Sequence, residues 1–247
     1  MTRFSVFALG LLCSGQALAA GLTVSAASSL TNAFRELAPL YEAQHPQTKI
    51  QLNFAASGAL LQQIAKGAPV DVFASADQVT MIQAQEQGLI KADQRRNFVS
   101  NSLVVIVPLQ SRAAPASLDD LTTPAFQRVA IGLPASVPVG RYTKSTLEKV
   151  GLWAAIEPKM IGSQNVRQAL DYVARGEVDA GFVYGTDAAM MADKVRVSFT
   201  VPTEAPILYP IAPVAGSSNA EAAQSFVEFV SSDEAAAVLA KYGFGKP

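Results

Sequence analysis

The sequence predicts an α/β protein of two lobes, each a mainly parallel sheet flanked by helices, with two crossing segments as a hinge. Three observations predict it. Short apolar runs alternate with stretches of 3.6-residue apolar period along most of the chain, the pattern of strand followed by helix in a parallel sheet. The rhythm breaks twice, in residues 101–108 and in the proline-rich residues 207–214, and restarts after the first break. The roughly 227 residues that follow the first 20 are many for one core and comfortable for two lobes.

Taken in order, Leu22-Thr23-Val24-Ser25-Ala26-Ala27 is a short buried strand, and Leu30, Ala33, Phe34, Leu37 and Tyr41 follow at helical spacing. Ile50-Gln51-Leu52-Asn53-Phe54-Ala55 is the next strand. Ser57-Gly58 turns the chain into a helix with Leu60, Leu61 and Ile64 on one face, which Gly67-Ala68-Pro69 stops. Val70-Asp71-Val72-Phe73-Ala74 is a third strand, leading through Ser75-Ala76-Asp77 into a helix over residues 79–86. Residues 101–108 form an apolar strand read as the first crossing. Beyond it come a strand at residues 129–133, a helix over 141–150, and a strand near Lys159-Met160-Ile161-Gly162. A helix with Val166, Ala169, Leu170 and Val173 on one face and the strand Ala180-Gly181-Phe182-Val183-Tyr184 complete this part. Residues 207–214 are read as the second crossing, returning the chain for terminal helices over 220–242. The resulting division is a leader at 1–20, a first lobe of 21–101 with 212–247, and a second lobe of 102–211. Residues 70–77 are echoed by residues 178–187, each a strand ending in small polar residues, as two lobes of similar topology would require. A ligand belongs in the cleft between such lobes.

The first 20 residues carry one basic residue, Arg3, an apolar run through Cys13, and Ala17-Leu18-Ala19 before Ala20. This is the pattern of a cleaved secretory leader, with the mature chain starting near Ala20 or Gly21. The run is too short to span a bilayer. Cleavage removes Cys13, the only cysteine, and with it any disulfide or thiolate chemistry. His45 is the only histidine and stands before Pro46, as a solvated residue at a helix end. A zinc site and a histidine-dependent triad are thereby disfavoured. Removing Arg3 leaves 18 basic against 20 acidic residues, a balance with no footprint for nucleic acid.

Four expected helix starts place small or neutral residues, and no carboxylate, where backbone N–H groups are unpaired. They are Ala27-Ser28-Ser29, Ala56-Ser57-Gly58, Pro138-Val139-Gly140 and Ser163-Gln164-Asn165-Val166. Such starts bind anions through amides, hydroxyls and the positive end of the helix dipole. Any one of them taken alone reads as an ordinary N-cap.

The runs Ala26-Ala27-Ser28-Ser29-Leu30-Thr31-Asn32-Ala33, Phe54-Ala55-Ala56-Ser57-Gly58, Val70-Asp71-Val72-Phe73-Ala74-Ser75-Ala76-Asp77, Asn101-Ser102-Leu103-Val104-Val105, Val183-Tyr184-Gly185-Thr186-Asp187 and Lys241-Tyr242-Gly243-Phe244 stand in this order over nearly the whole chain. Together they resemble the periplasmic molybdate-binding proteins of ABC importers. The resemblance implies the type II periplasmic-binding-protein fold, a periplasmic location, an importer permease as partner, and molybdate or tungstate as ligand with no separate cofactor. It implies a monomer that neither catalyses a reaction nor inserts into the membrane. It further implies that the oxyanion is held by the hydroxyl and amide of Ser29, the hydroxyl and amide of Ser57, the amides of Val139 and Val166, and the phenol of Tyr184. Molybdenum would then touch no protein ligand directly. Position 139 often carries a smaller residue in relatives, and Gly58 stands where another serine is common.

Donor-only chemistry disfavours phosphate, which keeps a proton near neutral pH and needs an acceptor. Sulfate passes the same test and is the alternative ligand. An exported serine hydrolase lacks a visible base beside any serine, and a transcription-regulator effector half lacks the helix-turn-helix segment. Asp71 and Asp179 read as hydrogen-bonding strand-end or hinge residues. Arg141 reads as a solvated helix-start residue or an aid to anion capture, and Trp153 with Leu152 and Ile156 as a core patch.

Overall fold

The computed structural model describes residues 20–247. The expected leader, with Arg3 and Cys13, falls outside the described residues except for Ala20. In the first lobe β1 (Ala20–Ala27) passes through one 3-10 turn, Ser28–Leu30, into α1 (Thr31–Gln44). There follow β2 (Thr48–Ala55), α2 (Ser57–Ala65), β3 (Val72–Ala74), α3 (Gln78–Glu86) and β4 (Arg96–Asn101). The chain changes sheets at Ser102. The second lobe holds β5 (Leu103–Pro108), β6 (Val129–Gly132), α4 (Pro138–Lys149), α5 (Trp153–Ile156), β7 (Met160–Ser163), α6 (Val166–Ala174), β8 (Ala180–Tyr184), α7 (Gly185–Met190) and β9 (Val195–Val201). Then β10 (Ile207–Pro213), α8 (Ala220–Val230) and α9 (Asp233–Lys241) return to the first.

The two sheets repeat one plan. Their orders are β2-β1-β3-β10-β4 and β7-β6-β8-β5-β9. In each, three neighbouring strands pair in parallel and the fourth in order runs antiparallel to both its neighbours. That antiparallel strand is in both cases the one that arrives from the other lobe, β10 in the first and β5 in the second. Residues 70–77 and 178–187 therefore resemble each other for a topological reason, since β3 and β8 occupy the same place in their sheets. Central strands covered on both faces must be apolar or small throughout; Val24, Ser25 and Ala26 of β1 and Val105, Ile106 and Val107 of β5 have no solvent exposure.

Two expectations need correction. Residues 101–108 are two strands rather than one, because Ser102 interrupts the pairing: β4 belongs to the first sheet and β5 to the second. Residues 207–214 are not a crossing. All of β10 pairs within the first sheet, so the passage between sheets lies in residues 202–206, and the lobe boundary expected at 211/212 falls earlier. The prolines suggested a connector, but the register with β4 shifts between Tyr209 and Pro210, which accommodates the missing N–H of Pro210. Strand β9, half-exposed and pairing only with β5 at the sheet edge, had no clear apolar signal.

His45 does stand at the C-cap of α1, but it is only partly solvated. Its ring stacks on Tyr41 at 4.0 Å between centroids, and its nitrogens face Tyr41 O at 3.0 Å and Ser225 Oγ at 3.3 Å. Ile156 is fully buried with Trp153 packed beside it, and the Lys144 ammonium lies 5.4 Å from the Trp153 ring. No helix among the described residues is long and apolar enough to cross a membrane.

Candidate functional site

Ser29, Ser57, Val139, Val166 and Tyr184, predicted from five separate segments, line one small cavity between the lobes, of about 10 Å³. Ser29 and Ser57 come from the first lobe, at the 3-10 turn after β1 and at the start of α2. Val139, Val166 and Tyr184 come from the second, in the first turns of α4 and α6 and at the end of β8. Larger depressions elsewhere on the molecule lack such a convergence of helix starts. The remaining walls are small or apolar: Ala27, Ala56, Ala76, Val137 and Pro138, with Ser28.

None of the four helices carries an acidic residue in its first turn. The serines are not side-chain caps either. No side chain caps the 3-10 turn, α2 or α4, and α6 is capped instead by Asn165, whose Oδ1 accepts from Gln168 N at 3.0 Å. The amides of Ser29, Ser57, Val139 and Val166 lie in first turns, where no preceding carbonyl of the same helix is available to them.

Each hydroxyl is held from behind. Ser57 Oγ, fully buried, accepts from Ala76 N at 3.0 Å, which leaves its own proton free for the cavity. Ser29 Oγ lies 3.0 Å from the Tyr209 hydroxyl. Tyr184 donates a long bond of 3.4 Å to Ala76 O across the lobes. Burial, with the phenol of Tyr209 and then the charges of Asp77 and Asp187 nearby, pushes the Tyr184 phenol well above its ordinary value. Tyr184 is therefore a donor at any physiological pH.

The lobes meet closely around the cavity. Gly58 N donates to Ser136 O at 3.0 Å, and a Cβ at Gly58 would stand 2.6 Å from that same oxygen. A serine at this position would not fit the present approach of the loop before α4, which gives Gly58 a steric role. Gly140 is equally confined, since a Cβ there would lie 1.9 Å from Gly132 O, and this absence of a side chain lets the start of α4 press onto β6.

Two arginines beside the cavity are neutralised by carboxylates. Arg141 Nε lies 2.7 Å from Asp77 Oδ2, and its Nη2 donates to Thr80 Oγ1 at 2.6 Å, joining α4 to the start of α3. The solvated reading of Arg141 is thus replaced by an interlobe ion pair. Arg167 Nε lies 2.5 Å from Asp187 Oδ1, while its Nη groups donate to Asn32 Oδ1 at 2.9 Å and Ser29 O at 3.3 Å in the other lobe. Burial pushes the Asp187 carboxyl up to about 6, against the opposing pull of Arg167. Neither arginine lines the cavity.

Asp71 accepts from Thr23 N at 2.7 Å and Ser217 Oγ at 2.6 Å, and Asp179 from Gln127 N at 2.7 Å and Arg128 N at 2.8 Å, both as structural acceptors away from the cavity. Sequence reading missed Asn101, Tyr209, Asp77, Arg167 and Asp187. The last two stand inside or beside motifs already quoted, but their pairing spans 20 positions and two helices. Among the described residues no group of three or more His, Cys, Asp or Glu side chains is placed to hold a metal ion.

This geometry can be set beside known proteins. Residues 22–245 match the family described as bacterial extracellular solute-binding protein. The chain is 37% identical to the molybdate-binding protein ModA of Escherichia coli (strain K12), covering 99% of this chain and 97% of that one. It is 33% identical to ModA of Haemophilus influenzae, covering 92% and 91%. The solved structure of the Azotobacter vinelandii periplasmic molybdate-binding protein has a TM-score of 0.80 at 23% identity, over 92% of this chain and 99% of that one. The sulfate-binding protein SubI of Mycobacterium tuberculosis reaches 0.82 at 19%, over 91% and 86%. At those identities the two structures carry the fold, which is the two-lobed type II periplasmic-binding-protein architecture. With the match running nearly end to end and full-length relatives above 30% identity, the chain belongs to the bacterial extracellular solute-binding protein family.

Proposed function

We propose that this chain captures molybdate between its lobes and delivers it to the membrane permease of an ABC importer. The observation that carries the reading is the convergence of uncharged donors from both lobes on one small cavity: the hydroxyls of Ser29, Ser57 and Tyr184 and the first-turn amides of Ser29, Ser57, Val139 and Val166. The names of its relatives, molybdate-binding proteins at 33 and 37% identity, support the choice of anion. Burying a dianion without partners would cost tens of kcal/mol, and each hydrogen bond to a charged acceptor returns about 1.5 to 3 kcal/mol. A single helix start does not suffice; several must converge. Because the donors are split between lobes, the anion itself holds them together, and the passages at Ser102 and residues 202–206 serve as the hinge.

Tungstate, of the same shape and charge, enters the same site. A protonated phosphate would set a donor against donors, since the cavity has no carboxylate in its lining. Sulfate is the second reading, favoured by the same absence of an acceptor carboxylate. The protein works as a monomeric periplasmic receptor, its leader cleaved near Ala20, and performs no chemical step, a reading supported by a cavity lining without imidazole or carboxylate.

The test is thermal. Molybdate at a hundredfold excess over its Kd is expected to stabilise the mature protein by about 2.7 kcal/mol, raising Tm by roughly 5 to 11 °C at this chain length. Sulfate at the same concentration should raise it less. Equal shifts would transfer the assignment to sulfate, and no shift with either anion would reject the oxyanion reading.

A further inference from the structure

We propose that Asn101 and Tyr209 are positioning residues that fix the direction of the Ser29 hydroxyl proton, making Ser29 a donor to the anion. The proposal rests on the cavity being an oxyanion site. Ser29 and Ser57 differ in one respect. Ser57 Oγ is backed by the N–H of Ala76, a group that can only donate, so the polarity of Ser57 is settled by the main chain. Ser29 Oγ is backed by another hydroxyl, that of Tyr209, and a hydroxyl pair can run in either direction.

Asn101 removes the ambiguity. Its Oδ1 accepts from Ser102 N at 2.9 Å, which places the amide nitrogen on the opposite side. That nitrogen has two protons and two acceptors, Thr186 Oγ1 at 2.9 Å and the Tyr209 hydroxyl at 3.2 Å. Tyr209 is fully buried, and among the described residues its hydroxyl meets only Asn101 Nδ2 and Ser29 Oγ. Having accepted from Asn101, it can place its own proton only on Ser29 Oγ. The reverse arrangement would leave the phenolic proton buried without an acceptor. Burial, with the Asp187 charge next in weight, holds the Tyr209 phenol well above its ordinary value, so it keeps that proton. The relay therefore runs from Ser102 N–H through Asn101 and Tyr209 to Ser29, and each bond polarises the next in the same sense.

Two consequences follow for selectivity. One of the two lone pairs of Ser29 that could accept from a protonated oxyanion is already taken by Tyr209, and the Ser29 proton is pre-aimed at an oxyanion that has none. Asn101 also ends β4, at the passage between sheets, and touches Thr186 of the second lobe and Tyr209 of the first. The polarity of the site is thus tied to the hinge.

The experiment compares the affinities of molybdate and inorganic phosphate, by titration calorimetry near neutral pH, in wild type, Tyr209→Phe and Asn101→Ala. Tyr209→Phe retains the ring that packs edge-on against Tyr184 at 5.7 Å and Phe244 at 5.6 Å, and its ligand-free Tm checks folding. The molybdate-over-phosphate preference is expected to shrink by about tenfold in Tyr209→Phe, the scale of one hydrogen bond, and in the same direction in Asn101→Ala. A merely structural role would weaken both anions in step, so an unchanged ratio in the variants overturns the relay. Failure of the wild-type protein to bind molybdate overturns the reading of the cavity itself and the relay with it.

Discussion

Ser57→Ala is expected to lower molybdate affinity by about 10- to 150-fold, the loss of one hydrogen bond to a charged acceptor, with a modest drop in the ligand-free Tm. The asymmetry comes from what Ser57 does in the fold. Its side chain caps no helix amide, so α2 does not depend on it. It is fully buried, accepts only from Ala76 N, and has its proton left for the cavity. The alanine would also strand the buried Ala76 N–H, which is the source of the modest drop in Tm. Titration calorimetry measures the affinity and a melting curve the stability. A large drop in Tm with affinity unchanged would return Ser57 to a structural role and break the convergence on which the oxyanion reading depends.

Arg167→Ala is expected to act mainly on stability. Asp187 has no solvent exposure, and Arg167 is its counter-ion at 2.5 Å. Removing one partner of a buried pair typically costs about 3 to 5 kcal/mol, equivalent to roughly 6 to 20 °C in Tm for a chain of this length. The same variant removes bonds from α6 to Asn32 and Ser29 O in the other lobe, so anion binding should weaken as well. The penalty is also expected to depend on pH. The Asp187 carboxyl is raised to about 6 in the folded protein, above the 3.8 of an ordinary aspartate. A raised carboxyl means that the folded state holds the proton longer than the unfolded one, so this group's contribution to stability falls as pH rises from about 4 through 6. Protonation removes the uncompensated charge, and the Tm deficit of Arg167→Ala should therefore be smaller at pH 5 than at pH 8. A deficit independent of pH would show that lost packing, rather than an exposed buried charge, carries the effect.

Much of this architecture was legible before any coordinates. Strand and helix alternated cleanly because parallel strands covered on both faces must be continuously apolar, and helices covered on one face must be periodic. The cavity residues were legible for a different reason. A helix start without carboxylates is only a weak signal, but four of them, set in an order shared with a known family, point to one site, and the structure brings all five named residues to one cavity. What escaped were features decided by pairing at a distance. Pro210 and Pro213 marked 207–214 as a connector, whereas both pair inside a sheet, Pro210 beside a register shift and Pro213 opposite Val72. Arg141 looked solvated because its partner Asp77 lies 64 positions earlier, in the other lobe. Tyr209 stood in the segment misread as a crossing, and its bond to Ser29 spans 180 positions. Nothing local distinguishes such residues from ordinary core or surface positions.

The most direct test of a site built from neutral donors is the salt dependence of molybdate binding to the wild-type protein, measured by titration calorimetry at low salt and in about 1 M sodium chloride, where exposed charges are screened within about 3 Å. Hydroxyls and amides in a buried cavity have no free cation to screen, so one molybdate per chain is expected at both salt concentrations, with affinities within a few-fold of each other. A steep loss of affinity in high salt would mean that exposed lysine or arginine side chains hold the anion, and would contradict the assignment of Ser29, Ser57, Val139, Val166 and Tyr184.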